Sequence, residues 1–92
     1  MKTEKSWTFL SNHGHVMVQL NQEPDLKVKE LAQRVGITER SAQSILSDLE
    51  EAGYISVTRF GRRNKYKVNS NLKFRHPSES NKSIGLLLNI FN

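Results

Sequence analysis

The sequence contains no cysteine, which rules out disulfides and thiolate metal sites and suits a reducing compartment. It has only two prolines, Pro24 and Pro77, so few points along the chain forbid a helix outright. Long hydrophobic runs are missing. Leu86-Leu87-Leu88 is three residues long, far short of the roughly 20 that a membrane helix needs. The stretch from Met1 to Asn12 is polar and mixed in charge, unlike a secretory signal. A cytoplasmic chain with no membrane partner is therefore expected. Also missing are a nucleophile–base pair, a phosphate-binding glycine loop and a paired-carboxylate pattern. A chain of 92 residues leaves little room for a catalytic cleft, and it reads as a non-enzyme without a cofactor.

Basic charge is abundant. Fourteen Lys and Arg stand against nine Asp and Glu, a formal net charge of +5. Its distribution says more than the total. No acid occurs from Ala52 to Ser78, yet Arg59, Arg62, Arg63, Lys65, Lys67, Lys73 and Arg75 all fall there. Such clustering is the electrostatic footprint of a polyanion partner.

Apolar periodicity divides the chain into elements of one domain, residues 1–92. From Ser6 to about Gln22, Phe9, Leu10, Val16, Met17 and Leu20 recur at helical spacing, with Ser6 as the N-cap, His13 on the stripe and Pro24 as the stop. Leu26 to Val28 reads as a very short strand. A second helix from about Val28 to Val35 places Val28, Leu31, Ala32 and Val35 on one face. Gly36, Ile37 and the capping residue Thr38 form a tight corner. A third helix follows, with Ala42, Ile45, Leu46 and Leu49 at i, i+3, i+4, i+7. Two helices across such a corner form a helix-turn-helix.

Past Gly53 the period changes from 3.6 to 2. Ile55 and Val57, then Tyr66 and Val68, alternate with polar residues around a Gly61-Arg62-Arg63-Asn64 tip, the pattern of a hairpin with a basic loop. A helix-turn-helix followed by a basic hairpin is the winged form of that motif. Residues 69–79 read as an extended connection. A last helix follows, capped by Ser78 or Ser80, with Ile84, Leu87, Leu88 and Phe91 as its stripe. The fold class is mainly α with a small β-hairpin. Residues 26–69 form the helix-turn-helix and wing, and residues 80–92 an additional C-terminal helix.

The runs Leu31-Ala32-Gln33-Arg34-Val35-Gly36-Ile37-Thr38, Leu46-Ser47-Asp48-Leu49-Glu50-Glu51-Ala52-Gly53-Tyr54-Ile55 and Gly61-Arg62-Arg63-Asn64-Lys65-Tyr66 resemble the MarR/ArsR-like winged helix regulators. The resemblance covers roughly residues 26–69. It implies DNA binding and transcription regulation, and names no small-molecule effector. MarR proteins are longer, with more helix on both sides of the core. ArsR metal sensors commonly use cysteine, which this chain lacks.

On a wheel of 100° per residue, the third helix turns Arg40, Ser44, Ser47 and Glu51 away from its apolar face, with Gln43 beside them. Acids crowd its C-terminal half, while the N-terminal half, apart from Glu39, carries only neutral polar groups and Arg40, so that half faces the polyanion. Arg40 fits guanine, Gln43 adenine, and Ser44 either. Thr38 and Ser41, at the helix N-terminus, suit phosphate. Arg59, Arg62, Arg63, Asn64 and Lys65 complete the expected interface with double-stranded DNA. Lys65 and Lys67 also fit the strand lysines that block edge-to-edge aggregation. Trp7, Phe9 and Tyr54 read as core or interface residues.

His13 and His15 subtend about 200° on a helix and cannot share one ion. His13 reads as a core histidine, and His76 with Glu79 makes no ligand set, so no metal site is expected. Ile84, Leu87, Leu88 and Phe91 suggest a homodimer interface. The competing arrangement folds this helix back on Phe9, Val16 and Leu20 of the same chain. Two other uses of the fold stay open at this level, a protein-interaction module and an RNA-binding adaptor, for which Phe60 and the inward-reading Tyr66 are the wing's stacking candidates.

Overall fold

The computed structural model describes residues 6–92, and residues 1–5, the first part of the polar start, lie outside them. Six elements follow in order: α1 (Asn12–Gln22), α2 (Val28–Val35), α3 (Glu39–Glu51), β1 (Ile55–Phe60), β2 (Arg63–Val68) and α4 (Ile84–Ile90). The two strands form one antiparallel hairpin, in register from Ile55 opposite Val68 to Phe60 opposite Arg63.

The first helix starts later than its apolar spacing suggests. Ser11, not Ser6, is the N-cap, and its hydroxyl accepts a hydrogen bond from the Gly14 amide at 3.2 Å. Phe9 therefore lies outside the helix and is 94% exposed. His13 also leaves the core. It is exposed, and its Nε2 lies 2.9 Å from Asp48 Oδ2, so it ties the start of α1 to α3 instead of packing under it. At the other end, Arg34 of α2 donates to Glu23 Oε1 at 2.8 Å and to Gln19 Oε1 at 3.4 Å. That Glu23 hydrogen bond also holds the guanidinium pKa above its ordinary range.

No strand forms at Leu26–Val28. One backbone hydrogen bond, from the Tyr66 amide to the Pro24 carbonyl at 3.0 Å, ties this segment to the hairpin. Leu26 goes into the core and Val28 opens α2. The Lys27 amide donates to Glu30 Oε1 at 3.2 Å, which satisfies one of the free amides at the helix start.

One core draws on every element. Val16 and Leu20 of α1, Leu31 of α2, Leu46 and Leu49 of α3, Ile55 and Tyr66 of the hairpin, and Ile84 and Leu88 of α4 form a single apolar cluster. Each such side chain contributes roughly 1.5–3 kcal/mol by leaving water. The connection between β2 and α4 is anchored as well. Leu72 and Phe74 pack against the core, and the Tyr54 hydroxyl donates to the Lys73 carbonyl.

The last helix begins at Ile84 with Ser83 as its cap, later than either Ser78 or Ser80. Its orientation is set by Gly85. That residue's amide donates to the Ser70 carbonyl at 3.0 Å, and a Cβ there would sit 2.9 Å from the same oxygen. Only glycine allows so close an approach. This contact turns Ile84 and Leu88 inward, where they are 8% and 2% exposed. Both were expected at a dimer interface, and the chain's own core takes them up instead, beside Val16 and Leu20. Leu87 is half-buried, while Leu86, Ile90 and Phe91 remain on the surface.

Candidate nucleic-acid interface

The corner between α2 and α3 is built from local backbone chemistry. Gly36 ends α2 at φ +86°, a conformation that side-chain-bearing residues rarely adopt. The amides of Gly36 and Ile37 both donate to the Ala32 carbonyl, at 2.8 and 2.9 Å. Thr38 then caps α3. Its Oγ1 accepts from the Ser41 amide at 3.0 Å, and its hydroxyl donates to Ser41 Oγ at the same distance. Ala42, Ile45, Leu46 and Leu49 hold α3 on the core, so the helix turns a fixed face outward.

That face carries the side chains singled out on the wheel. Thr38, Arg40, Ser41, Gln43, Ser44, Ser47 and Glu51 are all exposed. Of the acids on α3, Glu39 stands alone in the first turn while Asp48, Glu50 and Glu51 crowd the C-terminal half, where Asp48 is engaged by His13. Negative potential therefore rises along the helix and leaves its N-terminal half the better surface for a polyanion.

The wing is narrower than the four-residue tip read from the sequence. Only Gly61 and Arg62 lie between the strands, and Arg63 and Asn64 belong to β2. Gly61 has φ +62° and Arg62 a negative φ, the pattern of a type II′ turn. A two-residue turn of this kind follows the natural twist of the strands and keeps the tip slim.

The alternation of the strands separates two faces. Ile55, Val57 and Tyr66 line the inner one, where Asn64 is half-buried and its Nδ2 lies 3.5 Å from the Tyr66 hydroxyl. Lys65, Lys67, Arg63 and Phe60 fall on the outer one, all exposed. Arg59 shares the inner face but lies beyond the core and is exposed, as is Arg62 at the turn. Among the described residues the ion pairs are His13–Asp48 and Arg34–Glu23, so no wing cation is paired with an acid. Phe60 continues the outward alternation Ser56, Thr58, Phe60, and of the two wing aromatics that could stack on RNA bases it is the exposed one, Tyr66 being buried.

Trp7 and Phe9, the other aromatics in doubt, stack edge to face at 5.4 Å on the surface, and Tyr54 is buried. Among the described residues, no three His, Asp or Glu side chains gather as a metal site. Nor is any described helix long and apolar enough to cross a membrane.

Residues 12–56 match the family model described as winged helix-turn-helix DNA-binding. The domain is a winged helix-turn-helix. The match runs from α1 into β1 and stops short of the wing tip. Among curated proteins the chain matches none. Solved structures place this winged helix beside MarR-type regulators. The PcaV transcriptional regulator from Streptomyces coelicolor, crystallised with its natural ligand, is 25% identical at a TM-score of 0.58, over 65% of this chain and 45% of that one. The MarR family protein Rv2887 of Mycobacterium tuberculosis, in complex with salicylic acid, is 26% identical at a TM-score of 0.54, over 66% and 48%. MepR, a transcription regulator of the Staphylococcus aureus multidrug efflux pump MepA, is alike in fold, with a TM-score of 0.60 and 19% identity over 88% and 56%. This winged helix thus resembles MarR-type regulators and spans about half the length of those it matches.

Proposed function

We propose that the winged helix is a regulator that binds double-stranded DNA sequence-specifically. The N-terminal half of α3 enters the major groove, and the wing grips the flanking backbone. The observation that carries this reading is the juxtaposition of an exposed start of α3, whose one acid is Glu39, with a wing whose arginines and lysines meet no carboxylate among the described residues. Arg40 reads guanine through its forked donors, Gln43 reads adenine, and Ser44 serves either base. Thr38 and Ser41 hold phosphate at the helix N-terminus, while Arg59, Arg62, Arg63, Asn64 and Lys65 secure the backbone. The test is selection of a preferred site from random duplexes, followed by binding of variants. Arg40→Ala and Gln43→Ala should each relax preference at one or two base pairs, by about 1–3 kcal/mol. Unchanged preference in both variants contradicts this placement of α3.

A second copy of the chain completes the reader in this proposal. With Ile84 and Leu88 in the core, the surface left for pairing on α4 is Leu86, Ile90 and Phe91, flanked by Leu87. Leu86 and Ile90 are 55% and 71% exposed, more than a lone domain gains from keeping such side chains in water. A two-fold dimer matches a palindromic site whose half-sites lie about one helical turn apart, or a multiple of it. Light scattering should give twice the 10.6 kDa of one chain. Leu86→Glu with Ile90→Glu should halve that mass while the circular dichroism spectrum stays helical. A double variant that keeps the dimer mass contradicts pairing through this face.

A further inference from the structure

Phe60 is 62% exposed at the tip of a cationic hairpin, which is an unfavourable place for a phenyl ring. Register leaves it no apolar neighbour on its own face. Arg63 stands opposite it, and the next pairs toward the core are Thr58 with Lys65 and Ser56 with Lys67. The ring is also absent from the core cluster and from the residues packed against it. Hairpin stability therefore gains little from phenylalanine here. Charge alone gives no reason for it either, since a polar residue would serve a phosphate-gripping tip as well.

We propose that Phe60 is an apolar wedge that enters the minor groove of the bound duplex and partly unstacks one base step. This deepens the DNA-binding reading above and rests on it. Two observations fit the ring to that partner. The tip is slim, because the turn has two residues and the space around Gly61, where a Cβ would stand, is open. A slim tip can approach a minor groove about 6 Å wide closely enough for the ring, though not the two-stranded ribbon, to enter it. The cations Arg62, Arg63 and Lys65 lie beside the ring, placed to hold phosphates on the groove walls. Apolar side chains inserted at a base step in that groove kink the duplex and widen the protein's contact with it.

The test uses the full chain, a selected duplex, and 2-aminopurine placed at successive positions of the flank under the wing. The wild type should raise the fluorescence at one step, because that probe brightens when its stacking is lost. Phe60→Ala should abolish the rise and weaken binding roughly five- to a hundredfold, with the salt dependence unchanged because no phosphate contact is lost. Phe60→Leu should keep most of the rise, since a wedge needs apolar bulk and not a π-face. Both residues replace an exposed side chain, and circular dichroism should be unaltered. Tight duplex binding by the wild type with no brightening, or by Phe60→Ala with undiminished affinity, overturns the wedge and leaves the DNA reading standing. Loss of single-stranded RNA binding in Phe60→Ala, with duplex binding intact, overturns it in favour of a stacking platform. No duplex binding by the wild type overturns both readings.

Discussion

Removing both tip arginines, by Arg62→Ala with Arg63→Ala, is expected to weaken duplex binding by roughly 10- to 100-fold at moderate salt. Each charge-assisted contact of this kind is worth about 1.5–3 kcal/mol before compensation by neighbouring cations. The loss should be nearly the same on every sequence, because phosphate contacts position a protein and carry no base information. Arg62 is the residue of the turn and Arg63 opens β2, and neither packs on the core, so the variant should keep its fold. If Arg59, Arg62, Arg63 and Lys65 each neutralise one phosphate, log K against log salt has a slope near −3.6 for one chain. The double variant should bring that slope to about −1.8. A change of sequence preference in the wing variant, with the slope unmoved, contradicts the division of labour between α3 and the wing.

The second large effect is on stability. Leu31 is among the largest fully buried side chains of the chain and sits in α2, beneath the corner that holds α3. Leu31→Ala removes its methyl groups and leaves a cavity, a change that costs about 2–5 kcal/mol in tightly packed cores. A chain of 92 residues has on the order of 5–14 kcal/mol to lose. The melting temperature should therefore fall by on the order of 10 °C or more, read by circular dichroism. Gln33→Ala, two residues along the same helix, changes only an exposed side chain and should stay within about 0.5 kcal/mol of the wild type. Equal melting of the two variants contradicts the assignment of Leu31 to the core.

The parts of this fold that were legible in the sequence are those written in short-range chemistry. Gly36 and Thr38 mark the corner because a left-handed C′ residue and an N-cap each need a particular side chain at one position. The switch to a period of 2 after Gly53 revealed the hairpin, since Ile55, Val57 and Tyr66 line one face of it. Boundaries were harder. Ser6 and Ser11 are equal as caps in a sequence, and Phe9 happens to keep helical spacing with residues that are helical. What decides is which serine meets a free amide, and that is Ser11 with Gly14.

Long-range contacts explain the remaining differences. The segment Ile84–Ile90 is apolar at five of its seven positions, so periodicity could not say which face turns inward. The close approach of Gly85 to the Ser70 carbonyl makes that choice, and no spacing rule shows a contact across fifteen residues. His13 paired with Asp48 and Arg34 paired with Glu23 are likewise products of helix packing. In the interface, the exposed face of α3 followed from the wheel, because one strongly buried face fixes the opposite one. The division of the wing into an outer cationic face with Phe60 and an inner face with Asn64 needed the register, which the turn length sets and the sequence left open by one residue at each end.

The most direct test of the account is an equilibrium titration of the full chain into a labelled duplex, selected from a random pool, at salt concentrations from 50 to 200 mM. An RNA hairpin of the same sequence runs alongside it. The account predicts tight duplex binding that falls by roughly 150-fold for each bound chain across this range, as four neutralised phosphates per chain require, with the RNA bound at least tenfold more weakly. Duplex binding that ignores salt, RNA bound as well as DNA, or no selection of any duplex from the pool would contradict it.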